Sequence, residues 1–297
     1  MGTVAPRAVI VTRPTDLEAL LVRHGTRAQA AFFLKSQGQT LDEILSRHQV
    51  EASARHQLSA AIPKDWRRAQ VGRTELDRFL FEPEDVILAV GQDGLVANVA
   101  KYLHGQPVVG VNPAPDRIPG VLARHPVQAV ADLLAASRAG RLPLENRTMV
   151  EARLSDGQRL LALNEIFVGH RSHQSARYRI HFGEREERQS SSGVLIATGT
   201  GATGWAKSVA RGRPGCPQLP KPTSAELVFL VREAWPSPST FAELVHGQIS
   251  GAPLSIVSEM NDGGVCFGDG IEGDYLDFGY GQVVTVGRAP GPLLLAA

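Results

Sequence analysis

Apolar positions along the chain fall into two regimes. In the first ~125 residues, short unbroken apolar runs alternate with stretches of helical period. Residues 8–12 (AVIVT), 85–90 (DVILAV) and 107–111 (PVVGV) have the length and makeup of strands buried on both faces. Between them, residues 15–35 carry Leu17, Leu20, Leu21, Ala28, Ala31 and Phe32 at helical spacing. Residues 40–61 put Leu41, Ile44 and Leu45 on one face, and 74–80 and 95–104 read as shorter helices. Thr40, with Glu43 three residues on, has the form of a capping box. Strands that alternate with helices predict a parallel sheet flanked by helices.

Beyond residue 143 the period shortens. Residues 148–154, 158–163, 166–168, 176–182, 193–198, 226–232, 253–257 and 282–287 read as strands. The stretch 212–222 (GRPGCPQLPKP) breaks both periods and predicts a loop. The charged run Glu184–Arg188 is expected at a solvated hairpin tip. The fold class is therefore an α/β N-terminal domain plus a β-rich C-terminal domain. The expected boundaries are 1–125 and 126–288, with 289–297 a tail that returns to the first domain.

Composition narrows the functional classes. Apolar residues make up 43% and charged residues 21% of the 297, as in an ordinary globular chain. Lysine and arginine number 31 against 30 acidic residues, so no nucleic-acid or membrane partner is expected. Cys216 and Cys266 form no C-x-x-C pair, which signals neither a zinc site nor a disulfide framework. No apolar run is long enough to span a bilayer, and the start Met1–Val11 lacks the features of a signal peptide. A cytoplasmic protein is expected.

Four segments hold candidate chemistry. Val194–Ser208 (VLIATGTGATGWAKS) contains a literal G-x-G-x-x-G at Gly199, Gly201 and Gly204. A Rossmann fingerprint also needs a long crossover helix and a following parallel strand. Here the helix that starts at Trp205 meets Gly212-Arg-Pro-Gly215 within about two turns, so the Rossmann reading fails. What remains are hydroxyls at Thr198, Thr200 and Thr203 among small residues, suited to a close approach by ribose, phosphate or base, or simply to a tight turn. Gly91-Gln-Asp-Gly94 follows the buried strand 85–90, where α/β sheets bind ligands. Its amides and the helix start suit a phosphate, and Asp93 suits a proton acceptor, although the same residues make an ordinary turn. Asn164-Glu165 could hydrogen-bond a ribose diol or adenine edge. Ser258–Gly264 and Asp269-Gly270 read as turns.

In order and spacing these pieces resemble the NAD kinase family, and in wording its mitochondrial-type branch. Gly91-Gln-Asp-Gly-Leu95 is similar to the family's G-G-D-G-T, and Asn112–Leu122 to its N-x-G-x-L-G-F-L region. Leu163-Asn-Glu165 is similar to N-N-E, and Thr198–Ser208 aligns without a gap with T-P-T-G-S-T-A-Y-S-L-S. Ser190–Gly193 and Leu41–Val50 (LDEILSRHQV) match the branch's wording. The resemblance implies a two-domain fold of the NAD kinase/diacylglycerol kinase type. It implies transfer of the ATP γ-phosphoryl group to the adenosine-ribose 2′-hydroxyl of NAD or NADH, with Mg2+ or another divalent cation, in a homodimer. Asp93 would be the base. Gly91, Gln92, Gly94 and Asn112 would serve the phosphates. Asn164, Glu165, Thr198, Thr200, Gly201, Thr203 and Trp205 would hold the dinucleotide. The chain departs from the pattern at Gln92, Leu95, Ala202 and Trp205. The alternatives are a related kinase with a sugar or lipid acceptor, and a catalytically weakened nucleotide-binding regulator with Gln92 in place of glycine.

Overall fold

The computed structural model describes residues 5–297. Met1–Val4, on which part of the signal-peptide reading rests, lie outside the described residues. The chain divides into two units, Met1–Leu144 with Leu294–Ala297, and Glu145–Leu293.

The first unit is built on parallel strands in the order Arg67–Gly72, Arg7–Thr12, Asp85–Val90, Pro107–Asn112 and Leu293–Ala296. All six residues of Asp85–Val90 are buried, as expected of a central parallel strand. The one charge among them, Asp85, is matched across the register by Arg7, which donates from Nε and Nη2 at 2.7 Å each. A buried carboxylate is tolerable only when paired in this way. On one face of the sheet, Ala54 and Leu58 of the helix Leu41–Ala61, and Ile62 just past its end, pack with Val130 and Leu134 of the helix Val130–Arg138. That second helix carries the first unit past residue 125 to residue 144, because its apolar face belongs to this core.

Three local expectations differ. The stretch 15–35 is two helices, Asp16–His24 and Arg27–Ser36. Gly25, at φ 77°, ends the first, and Thr26 caps the second by accepting from Gln29 N–H. Thr40 makes no capping bond; the box forms at Thr15 and Glu18 instead. The strand Arg67–Gly72 was hidden by its polar sequence, RRAQVG, since an edge strand buries little.

The second unit contains two six-stranded antiparallel sheets. One runs Arg185–Ser191, Ala176–Phe182, Leu254–Ser258, Val283–Arg288, Val150–Leu154, Arg159–Ala162. The other runs His246–Ile249, Leu227–Val231, Val194–Ala197, Glu165–His170, Gly264–Gly268, Tyr275–Asp277. Tyr178, Ile180, Ile256 and Val284 of the first share a core with Ile166, Val168, Ile196 and Phe229 of the second. The second sheet is buried on its other face too, where Leu195, Val228 and Leu230 pack on Ala206 of the helix Trp205–Ala210.

Glu184–Arg188 lies at the tip of the hairpin of Ala176–Phe182 and Arg185–Ser191, with Glu184, Arg185, Glu186 and Arg188 exposed as expected. Glu187 differs: it points inward to accept from the N–H groups of Glu243 and Leu244. Tyr178 donates to Gln189 Oε1 at 3.0 Å in the same buried network.

Candidate functional site

In the first unit the chain leaves the strand Asp85–Val90 through Gly91, whose N–H donates to Val111 O at 2.9 Å. Gln92 occupies the cap position of the helix Asp93–Ala100 but makes no side-chain capping bond, and its side chain is exposed. A side chain at Gly94 would meet nothing within 4 Å. The helix start is thus open, with first-turn amides that have no partner within the helix.

Asp93 has an additional job that the sequence did not signal. Its Oδ1 accepts from the N–H groups of Val121, Leu122 and Ala123 at 3.1, 2.9 and 2.8 Å. Its Oδ2 accepts only from Val121 N–H, at 3.0 Å. Two glycines let the loop come this close. A Cβ on Gly110 would lie 2.0 Å from Leu122 O, and one on Gly120 1.9 Å from Ala123 O. A glycine inside the apolar strand Pro107–Asn112 was the available clue. Asn112 is likewise spent on the chain: it donates to Ile118 O at 2.7 Å and accepts from Ala114 N–H at 2.9 Å. Beside it lies a cavity of about 300 Å³, lined by Gly91, Gln92, Asn112, Arg13, Arg47, Glu51 and Arg117 among others.

In the second unit the structure brings Asn164-Glu165 and the 198–204 segment together. Thr198 donates from its N–H to Asn164 O at 2.9 Å and from its hydroxyl to Leu163 O at 2.6 Å. The same hydroxyl accepts from the N–H groups of Thr200 and Gly201. Thr198 is fully buried, so it fixes the turn and presents nothing outward. A Cβ on Gly199 would fall 1.7 Å from Lys221 O, and one on Gly201 2.2 Å from Asn164 O. These glycines permit close backbone packing; the helix after them, Trp205–Ala210, has six residues and stands beside an antiparallel sheet, which is not a Rossmann crossover.

Asp269 completes the turn. It adopts a left-handed conformation, φ 55°, uncommon outside glycine and asparagine. From there its carboxylate accepts from Leu163 N–H at 3.0 Å and Asn164 N–H at 2.7 Å, and its own N–H donates to Glu165 O at 3.1 Å. Burial, and after it the Asp269 charge, pushes the Glu165 carboxyl up to about 7. Thr200 is buried, and its hydroxyl has no hydrogen-bond partner. Thr203 is exposed at the surface and donates to Thr200 O.

Trp205 belongs to an aromatic cluster. Its ring lies 5.9 Å from that of Phe167 at 19°, the Arg232 guanidinium sits 5.2 Å above it, and Phe267 is 4.9 Å from Phe167. Phe167 rests on a floor of two glycines, since a Cβ on Gly169 or Gly193 would come within 2.5 Å of its ring. Together with Arg171, His173 and Tyr275 these side chains line a cavity of about 620 Å³. An aromatic-walled cavity with cationic groups suits a planar ring that carries phosphate. Sequence reading found Trp205 but missed Phe167, Arg171 and Arg232, which sit in unremarkable local sequence. Gly169 and Gly193 were the only hint.

Comparison with known proteins gives consistent likenesses. The chain is 24% identical over 238 residues to an NAD kinase of Chlorobaculum tepidum, spanning 79% of each protein. It is 29% identical over 133 residues to an NAD kinase of Paraburkholderia phytofirmans and 30% over 129 residues to one of Methanospirillum hungatei, spanning 43% and 46% of those relatives. No protein-family model matches the chain. Its fold is similar to that of yeast NADH kinase solved with NADH, with a TM-score of 0.60 at 14% identity over 99% of this chain and 84% of that one. It is also similar to an Archaeoglobus fulgidus NAD kinase solved with ATP, with a TM-score of 0.58 at 18% identity over 98% and 93%.

Proposed function

We propose that the chain is a member of the NAD kinase family and that it transfers the γ-phosphoryl group of ATP to the 2′-hydroxyl of the adenosine ribose of NAD or NADH, giving NADP or NADPH. The observation that carries this reading within the chain is the locked turn of the second unit. Thr198, Gly201 and Asp269 hold Asn164-Glu165 rigid while Thr200 keeps an unpartnered hydroxyl. Rigid polar groups of this kind suit a ribose and an adenine edge, and the neighbouring aromatic cavity suits a second ring.

Each role follows from chemistry. Phosphoryl transfer asks the protein mainly for alignment and charge neutralisation. A divalent cation, Mg2+ in the ordinary case, enters with the ATP as part of the substrate and neutralises its phosphates. Asp93 accepts the 2′-hydroxyl proton at Oδ2, the oxygen with a single N–H partner. Gly91, Gln92 and Gly94 leave the helix start open to phosphate. Asn164 and Glu165 hold the adenosine, Thr200 contributes its hydroxyl, and Trp205 stacks on a ring. Asn112 and Thr198 act through the loops they fix. We further place the protein in the cytoplasm as a homodimer, close in kind to the mitochondrial-type branch. The support is the near-balanced charge and the wording of the Leu41–Val50 and Ser190–Gly193 segments; the homodimer is what the family resemblance implies.

Incubation of the protein with MgATP and either NAD or NADH should give NADP or NADPH. Failure with both acceptors would overturn the reading. One observation favours a second reading, a nucleotide-binding regulator: the Asp93 carboxylate is held by three backbone N–H groups. That reading expects dinucleotide binding by calorimetry with no turnover in the wild type.

A further inference from the structure

Asp269 lies outside every segment that resembles the family, just past the strand Gly264–Gly268. Two features of it are unfavourable. Its backbone is left-handed, at φ 55°, and its carboxylate stands near that of Glu165, itself largely buried. A turn alone needs neither. Glycine takes such a φ freely, as Gly270 does at 67°, and asparagine tolerates it without a charge. What a carboxylate adds is a second acceptor oxygen. Oδ2 takes the Leu163 N–H and Oδ1 the Asn164 N–H, while the Asp269 N–H reaches Glu165 O. One residue thus holds three consecutive residues of another segment. Thr198 holds the same stretch through Leu163 O and Asn164 O. Two glycines make the approach possible. A Cβ on Gly268 would lie 2.8 Å from that of Ala162, and one on Gly201 2.9 Å from Glu165 Oε2.

We propose that Asp269 is a positioning residue of the acceptor site, clamping the 163–165 backbone so that the Asn164 and Glu165 side chains meet the adenosine ribose in one fixed arrangement. The proposal rests on the kinase reading for the identity of the ligand. Asp269 also acts through its charge. The other elements packed on Glu165 bring Ala197, Gly201 and Gly268, none of which titrates. Burial first, and the Asp269 charge after it, hold the Glu165 carboxyl at about 7. Its hydrogen-bonding toward a ribose therefore changes in the neutral range: protonated it donates and accepts, ionised it only accepts. Clamp and charge come from one side chain, so removing it alters both the strength and the pH dependence of dinucleotide binding.

The test is calorimetry of the full chain with NAD and with NADH, from about pH 5.5 to 8.5, a range that spans the Glu165 titration. Wild-type affinity should change across a limb centred near the Glu165 value of about 7, and Glu165→Gln should abolish that limb. Asp269→Asn keeps one acceptor and the left-handed preference but loses the charge. It should bind roughly ten-fold more weakly, with the limb moved to lower pH by roughly half a unit or more. Asp269→Gly, which is unstrained at this φ, should do the same and carries the test if the asparagine variant does not fold. In the transfer assay both variants should raise KM for NAD and leave KM for ATP within about two-fold. A merely structural Asp269 would weaken binding at every pH with the limb unmoved, and that result would overturn the proposal. So would wild-type affinity in both variants, or no binding of either dinucleotide to the wild type. If the limb moves as expected but no NADP forms, the kinase reading fails and the clamp stands. If NADP forms and the limb stays put, the clamp fails and the kinase reading stands.

Discussion

Asp93 carries two roles that substitution can separate. In Asp93→Asn the amide oxygen can still accept from the Val121, Leu122 and Ala123 N–H groups, while the proton acceptor is lost. The expected result is an intact fold with transfer slowed by roughly 10²- to 10⁴-fold. Asp93→Ala removes the acceptor too, so thermal unfolding should show an added loss of roughly 2–4 kcal/mol. Thr200→Val tests the unpartnered hydroxyl: the free protein should gain about 1 kcal/mol while NAD affinity, read by calorimetry, falls. Glu165 sets a pH dependence. With its carboxyl raised from 4.5 to about 7, the folded state binds more protons than the unfolded state between those values. Stability is therefore greatest below about pH 4.5 for this group and is lost as pH rises to about 7. Glu165→Gln should melt higher than the wild type at pH 8, by a difference on the order of 1 kcal/mol, and much like it at pH 5. At this scale the sequence was legible where polar residues mark the motifs. It was silent on Asp269, whose neighbours Gly268 and Gly270 announce only a turn, and on Phe167, which reads as ordinary core.

At the scale of elements, the buried parallel strands were the most legible. Asp85–Val90 is apolar for both faces and was found to the residue. Helix ends were less so: the expected capping box at Thr40 does not form, while Thr15, which the sequence reading did not single out, meets Glu18 in one. Polar edge strands such as Arg67–Gly72, and the short His246–Ile249, carry too few apolar positions to show a period. The G-x-G-x-x-G segment shows how a motif can be right in its letters and different in its physics. Gly199 and Gly201 are needed because backbone carbonyls of Lys221 and Asn164 occupy the space of a side chain. Gly201→Ala should therefore cost roughly 1–3 kcal/mol in chemical denaturation, as overpacking does. Gly94→Ala, with open space around it, should leave stability within about 0.5 kcal/mol.

For the whole molecule, the change from helical to strand period marked two regimes, and the structure divides the chain after Leu144 rather than near 125. The helix Val130–Arg138 accounts for the difference: Val127, Val130 and Leu134 fall at helical spacing, and their core partners in the first unit lie far off in sequence. The expected return of the tail to the first unit is made by residues 294–297, through parallel pairing of Leu294 with Pro107 and Leu295 with Val108. The chain thus places a phosphate-suited cavity in one unit and a ribose-suited turn with an aromatic cavity in the other. The proposed reaction is transfer to one hydroxyl, the 2′-hydroxyl of the adenosine ribose. Phosphorus NMR of the product from MgATP and NAD tests it most directly. A new phosphomonoester resonance from phosphate on the 2′ oxygen of the adenosine ribose, with ADP formed in equal amount, is the expected result. ADP released with free phosphate alone, or phosphate on any other position, would contradict it.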